Sequence, residues 1–399
     1  MATIQYKGNN KWILYASDGF NSSGKRVRPT KVFKGTEKQA QKAAILFEEE
    51  VKKGKYCAAS KEYTLADFVD MWVQDYGEKH LAPKTLARYK EMLDKRILPS
   101  IGHLRLDKIK PMTINRLIND ITESPRLDGK PGKISANTVK HHYICISGIL
   151  QDAVEWDVIT ENPCRRVKPP KVDYEQGHCY DEGQVSALLD ALECESIKHR
   201  TLVYLAIASG AREGEIMGLE WDHIDFGNNT ITITQSSQYL PEKGIFLKTP
   251  KNKSSVRTIS MPGNVMALLR NYRKEQLEHK IKLGELWKGS DRIFTTWDGQ
   301  PGYPWWPGSW FRKFLKKNNL PHVPFHSLRH LSATLLIKEG VPLKNVSKRL
   351  GHAAIGTTGN IYAHAMESVD KAAANKMDKL LTDRLARNNP KKKGSKAKN

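Results

Sequence analysis

Arg212, His326, Arg329, His352 and Tyr362 are polar, reactive side chains set at the ends of otherwise apolar stretches. Arg212 follows Ser209-Gly210-Ala211 at a turn between two helices. Glu215 lies three residues on, on the same side of the new helix, where its carboxylate can orient the guanidinium. His326 and Arg329, in Pro324-Phe325-His326-Ser327-Leu328-Arg329-His330, share a face at i,i+3 just before the helical run Leu331–Ile337. A helix N-terminus with an arginine and a histidine favours an anion. His352 follows Gly351, so the backbone bends there, and Tyr362 comes ten residues later at the start of a helical stretch. Taken singly these are ordinary features: an ion pair, a capping histidine, a tyrosine between Ile361 and Ala363. Their order, arginine, lysine, His-x-x-Arg, Gly-His, tyrosine, is specific.

The elements that must position these groups follow from charge and periodicity. Among 399 residues, 65 are Lys or Arg and 43 are Asp or Glu, a formal net charge of +22. Such a chain seeks polyanions, and nucleic acid is the expected partner through counterion release. Hydrophobic residues make up 39% and charged residues 27%, an ordinary globular composition. With 28 Gly and 19 Pro, collagen-like and wholly disordered readings fail. No apolar run approaches the ~20 residues of a membrane span, and the opening residues lack a signal-peptide core. The five cysteines at 57, 145, 164, 179 and 194 form no CxxC pair, which argues against a zinc ribbon or disulfide framework. A cytoplasmic location with reduced thiols is expected, without membrane association.

The expected fold is multidomain and mainly α with small β elements. Residues 1–57 hold twelve basic residues against five acids. Segments Lys11–Ala16, Arg26–Arg28 and Lys31–Phe33 predict a small antiparallel sheet, and Thr36 caps a helix that ends at Gly54. A short basic sheet with one helix can present a strand face to a DNA groove. Residues 58–168 predict a bundle of about four helices. The first is opened by Thr64-Leu65-Ala66-Asp67; the second runs from Pro83 to Pro99; the third starts after Pro111 and the last at Ser135 or Asn137. The stretch Cys164–Lys171, with two prolines and four basic residues, reads as an extended linker. Residues 174–382 form a mixed α/β block with strands at Thr230–Gln235 and Val256–Met261. Residues 383–399 are a basic tail; the last nine, KKKGSKAKN, carry five lysines and no acid. Trp305, Trp306 and Trp310 are expected in a buried aromatic corner rather than a base-stacking surface.

The strings GAREGEIMGLEW, HSLRH and LGHAAIGTTGNIYAHA together resemble the tyrosine recombinases, the phage-type integrases. The resemblance covers the whole of block 174–382. The helical block before it is similar to the family's core-binding domain, and the basic sheet to the arm-site-binding module of conjugative-transposon and temperate-phage integrases. By resemblance, Arg212 is the family's first arginine, His326 and Arg329 its histidine and second arginine, His352 its second histidine, and Tyr362 its nucleophile. The family also carries a lysine on a β-hairpin between the arginines. That hairpin corresponds to Phe246–Ile259, with Lys251, just before the return strand, as the choice and Lys253 as the alternative. Ala211 and Leu331 replace a common leucine and a common threonine, and neither change removes a reacting group.

The resemblance implies a site-specific recombinase that needs no cofactor and no metal. Tyr362 would attack a phosphodiester, giving a 3′-phosphotyrosine and a free 5′-hydroxyl. Arg212 and Arg329, with forked planar donors, would hold the non-bridging oxygens, which a lysine matches less well. His326 would act as general base, His352 as a hydrogen-bond donor, and Lys251 as the acid for the leaving oxygen. Implied partners are double-stranded DNA at core and arm attachment sites, three further copies in a homo-tetramer on DNA, and an excisionase and host DNA-bending protein. Residues 366–382, with Met366, Val369, Ala373, Met377 and Leu380 on one side, read as an amphipathic helix that docks on a neighbouring protomer. A type IB topoisomerase and a plasmid-dimer resolvase share the tyrosine chemistry, but the N-terminal basic sheet favours an integrase. A DNA-binding regulator without catalysis would not require the full polar set.

Overall fold

The computed structural model describes residues 2–17, 28–52, 63–172, 180–249 and 256–351, together with 374, 375, 377, 378, 381 and 382. The chain divides into two compact units, Met1–Glu175 and Gln176–Asn399.

In the first unit, β1 (Thr3–Tyr6), β2 (Lys11–Tyr15) and β3 (Thr30–Lys34) form an antiparallel sheet in that order, followed by α1 (Glu37–Lys52). The period of two puts Trp12 and Leu14 on the helix side, where Leu14 packs with Ala40, Ala44, Phe47 and Val51 of α1. On the other face Lys11 pairs with Lys34, Ile13 with Val32 and Tyr15 with Thr30. The sheet therefore differs from the sequence expectation in one strand. β1 is four residues with one inward apolar side chain, too short for periodicity to reveal, while Arg26 and Val27 lie outside the described residues.

The helical bundle starts at α2 (Leu65–Trp72), where Thr64 Oγ1 accepts from the Asp67 N–H at 3.2 Å and the Thr64 N–H donates back to Asp67 Oδ2 at 3.0 Å. A π turn over Val73–Gly77 leads into α3 (Glu78–His80). α4 (Pro83–Met92) passes through a second π turn, Leu93–Ile97, into α5 (Leu98–Ile101). This helix therefore continues beyond Pro99 instead of stopping there. The wider turn resets the hydrogen-bond register so that the proline ring falls in the first turn of α5, where no N–H is needed. α6 (Pro111–Glu123) and α7 (Ala136–Glu155), capped by Ser135, complete the bundle. Trp72 is 2% exposed and donates its indole N–H to Asp152 Oδ2 at 2.6 Å, tying α2 to α7. The segment read as the start of a linker folds back onto this bundle. Cys164 and Val167 are buried, and the Tyr143 hydroxyl donates to the carbonyls of both, at 2.9 and 3.2 Å.

The second unit holds α8 (Glu182–Leu192), α9 (Ile197–Ser209) and the short α10 (Glu213–Ile216). Strands β4 (Ile224–Asp225) and β5 (Thr230–Ile233) come next, then a hairpin of β6 (Ser236–Leu240) and β7 (Gly244–Lys248). β8 (Arg257–Ser260) returns to pair with β5, giving a sheet of order β4-β5-β8. α11 (Gly263–Leu283), α12 (Trp306–Lys317), α13 (Ser327–Lys338) and α14 (Leu343–Leu350) follow. Leu202, Val203, Leu205 and Ile216 meet Ile231, Ile233 and Ile259 in the core, so helices and sheet fix each other. α9 and α14 each end at a glycine in the left-handed conformation, Gly210 at φ 61° and Gly351 at φ 71°. Left-handed backbone closes a helix sharply and turns its last carbonyls outward.

Candidate active site

Arg212 stands at the N-cap of α10. Its N–H donates to Glu215 Oε2 at 2.9 Å and its Nη1 to Glu215 Oε1 at 2.8 Å, so the carboxylate three residues on does orient the guanidinium. The Arg212 side chain stays 41% exposed while that of Glu215 is 8% exposed. Burial opposes the charge on Glu215, but the hydrogen bond and charge of Arg257, with those of Arg212, outweigh it and hold the carboxyl below its ordinary range.

Arg329 is 3% exposed. Its Nη1 donates to the carbonyl oxygens of Gly210 and Leu350, both at 2.8 Å. These carbonyls close α9 and α14, where helix dipoles leave negative character that favours a guanidinium. Arg212 Nη2 approaches the next carbonyl, that of Gly351, at 3.5 Å. The two arginines thus meet consecutive peptide units of one turn.

His326 occupies the N-cap position of α13 and is solvent-exposed on one side. Its ring lies 5.3 Å from that of His330. Packing against protein removes water from its other side, and His330, Arg329 and Arg212 repel a proton, so its pKa is pushed down to about 4. The imidazole is neutral at pH 7 and can accept a proton. The structure therefore brings Arg212, Arg329 and His326 into one electrostatic neighbourhood. Lys251, Lys253, His352 and Tyr362 lie outside the described residues.

The hairpin expected over Phe246–Ile259 is not one ladder. β7 already has its antiparallel partner in β6, and β8 pairs with β5. The described strands before and after Lys251 and Lys253 thus belong to different sheets, because Pro241-Glu242-Lys243-Gly244 turns the chain back earlier to pair β7 with β6. Sequence reasoning also missed Arg257, which is 8% exposed and donates from Nη2 to Glu215 Oε2 at 2.8 Å. The signal was present: in Val256-Arg257-Thr258-Ile259, a period of two puts Arg257 on the buried face with Ile259. Arg349, missed as well, donates from Nη2 to the carbonyls of Ala208 at 2.6 Å and Ser260 at 3.0 Å.

Other sequence features separate from this site. Trp306 and Trp310 stack on His199, with centroids at 5.5 and 4.2 Å, whereas Trp305 is 51% exposed beside Tyr239 and Tyr303. The aromatic corner is thus partly interior and partly surface. Glu220, Asp222 and His223 are close enough to share an ion, but Glu220 is engaged by Arg292 and His223 by Thr234. Of the amphipathic stretch 366–382, the described positions 374, 375, 377, 378, 381 and 382 are helical, and Met377 and Leu381 are both 57% exposed.

The second unit thus gathers two arginines and a neutral histidine at the ends of helices, with Arg212 and His326 reaching the surface. Residues 179–368 match the phage integrase family, and residues 64–122 match the phage integrase N-terminal SAM-like domain. Together these span more than half the chain, and the chain belongs to this family, the tyrosine recombinases. A tyrosine recombinase XerC-like protein of Caldanaerobacter subterraneus subsp. tengcongensis is 27% identical over 378 residues, covering 90% of this chain and 93% of that one. The ICEBs1 integrase of Bacillus subtilis is 26% identical over 248 residues, 62% of this chain and 67% of its own. The Tn1549 transposon integrase, solved in complex with transposon right end DNA, shares the fold. Its TM-score is 0.65 at 20% identity, over 80% of this chain and 99% of that one. A lambda integrase tetramer bound to a Holliday junction aligns with a TM-score of 0.54 at 17% identity, over 90% of this chain and 94% of that one.

Proposed function

We propose that this chain is a site-specific DNA recombinase that integrates and excises a mobile element through a covalent 3′-phosphotyrosine. The observation that carries the reading is the placement of Arg212 and Arg329 on the successive carbonyls of Gly351 and Leu350, beside a neutral His326. Tyr362 Oη attacks the phosphorus of a DNA phosphodiester, the phenolic proton passes to His326, and the P–O5′ bond breaks as the P–O bond to tyrosine forms. Lys251, with Lys253 as the alternative, gives a proton to the departing O5′. His352 donates to a non-bridging oxygen. Arg212 and Arg329 hold the charge that gathers on those oxygens in the five-coordinate transition state. A bound phosphate also offsets the repulsion His326 feels from both arginines, raising its basicity when substrate is present. A second strand's 5′-hydroxyl then attacks the phosphotyrosine and releases the enzyme, so the phosphodiester energy is kept.

The remaining assignments belong to the same proposal. Residues 1–57 bind arm sites, with Lys11 and Lys34 side by side on the face of the sheet away from α1. Residues 58–168 bind the core site, 174–382 carry catalysis, and the tail 383–399 binds backbone phosphates. Four copies act on two duplexes, the helix within 366–382 docks on a neighbouring copy, and an excisionase and a DNA-bending protein set direction. The protein works at the nucleoid. Among the described residues no helix is long and apolar enough to cross a membrane.

The test is incubation with nicked duplexes from the element's own insertion junctions in EDTA, without ATP. A protein–DNA adduct that survives a denaturing gel and vanishes in Tyr362→Phe is expected. Tight binding to those junctions with no adduct would instead mark a DNA-binding regulator and leave Arg212 and Arg329 as ordinary phosphate contacts.

A further inference from the structure

We propose that Arg257 is a positioning residue for strand cleavage: it takes up the charge of Glu215 so that the positive charge of Arg212 is left for the scissile phosphate. This rests on the recombinase reading above. Glu215 carries one carboxylate and serves two guanidiniums. Its Oε1 accepts from Arg212 Nη1, and its Oε2 accepts from both the Arg212 N–H and Arg257 Nη2. The Arg257 and Glu215 side chains are 5% and 8% exposed, while that of Arg212 is 41% exposed. The trio carries a net positive charge, and only its Arg212 end is open to an incoming anion. Without Arg257, the buried carboxylate of Glu215 would be left to pair with Arg212, and that pair would be neutral. Burying a carboxylate is costly unless it is paired, so Glu215 would then draw Arg212 inward rather than share it.

A second tie comes from the other edge of the same side chain. Arg257 Nε donates to the carbonyl of Arg349 at 2.7 Å. The guanidinium also lies against Gly351, where a Cβ would stand 2.8 Å from Nη1 and 3.1 Å from Cζ. Gly351 immediately precedes His352 in the sequence, and Arg257 opens the strand that follows Lys251 and Lys253. One buried side chain therefore joins α10, the end of α14 and the start of β8.

The experiment compares Arg257→Gln and Arg257→Lys with the wild-type full chain on nicked junction duplexes, with either a phosphate or an uncharged methylphosphonate at the cleavage position. Adduct formation is timed, junction binding is measured separately, and Tm is recorded. On phosphate, Arg257→Gln is expected to slow adduct formation by about ten- to a hundredfold, less than the 10²–10³ for losing a direct oxyanion donor. Binding should hold within about twofold, since Arg257 itself is too buried to reach DNA. Arg257→Lys, which keeps the charge, should recover part of the rate. On methylphosphonate, which lacks the charge that Arg212 must meet, Arg257→Gln should lose no more than about threefold, because a missing cation costs little opposite a neutral group. Equal losses on both substrates that track the fall in Tm would show a merely structural role and overturn the proposal, as would no loss on phosphate. Where Arg257→Gln does not fold, the same two-substrate comparison is made with Arg257→Lys. Failure of the wild type to form any adduct would instead overturn the recombinase reading, and this inference with it.

Discussion

Replacing Gly210 with alanine should disable the second unit more than its small size suggests. Gly210 closes α9 at φ 61°, and its carbonyl accepts from Arg329 Nη1 at 2.8 Å. A Cβ there would stand 2.6 Å from Leu350 Cδ2 and 3.2 Å from Ser332 Oγ, and Leu350 is fully buried. The left-handed backbone costs an alanine about 1–2 kcal/mol. Overpacking a buried contact adds about 1–3 kcal/mol, for a total loss of about 2–5 kcal/mol. Gly340 supplies the control: it has φ 78° with nothing within 4 Å of a built Cβ. Gly340→Ala should therefore lose only the backbone part, about 1–2 kcal/mol. Native-state hydrogen exchange of the α9 amides reads this unit by itself within the full chain. Leu350 also supplies the other carbonyl to Arg329, so its displacement should slow adduct formation in Gly210→Ala and not in Gly340→Ala. Equal losses at the two glycines, or a loss under about 1 kcal/mol at Gly210, would refute the packing argument.

Three further outcomes follow from the same geometry. Arg212→Lys, which cannot span Glu215 and a phosphate with one planar fork, should slow adduct formation by about 10²–10³ with junction binding nearly kept; a loss of only a few fold would contradict an oxyanion role. His326, pushed from 6.5 down to about 4, is neutral above that value, so kcat/KM for adduct formation should not fall through His326 protonation until the pH drops below about 5. Because the folded value is the lower one, the accompanying stability is whole above the ordinary pKa and is lost as pH falls from about 6.5 towards 4; a midpoint near 6.5 that disappears in His326→Gln would contradict the shift. Burial pushes the thiols of Cys145 and Cys164 up to about 12, whereas Cys194 is exposed, so iodoacetamide at pH 8 should label Cys194 and spare the other two in the native protein, as read by peptide mass mapping.

The parts of this molecule that were legible in its sequence are those punctuated by local chemistry. Thr64, Pro83, Pro111 and Ser135 announce helix starts, and Gly210 and Gly351 announce helix ends, because each acts on its own turn. Arg212, His326 and Arg329 could be found because they sit beside such marks. The misses are non-local. Whether β7 pairs with β6 or β8 depends on strands outside the window that periodicity reads. Passage of α4 through Pro99 depends on a π turn, which leaves no composition signal. Arg257 carries a local mark, the period of two that puts it on the buried face with Ile259, but the carboxylate that meets its charge there lies 42 residues away.

The clamp on Arg329 has a bearing on how the protein is made. Arg329 is held by a carbonyl 119 residues earlier and one 21 residues later, and Arg212 reaches a carbonyl 139 residues downstream. A ribosome adding about 5–20 residues per second needs about 7–28 s to cover that last interval. Through that time the first arginine has left the peptidyl transferase centre, but the backbone that aims it has not been synthesised. A truncated or stalled product ending before Leu350 carries Arg212 and Arg329 but lacks the Leu350 and Gly351 carbonyls that meet them. The charge arrives early and the geometry last, so a part-made chain can adhere to DNA long before it can be aligned for cutting it.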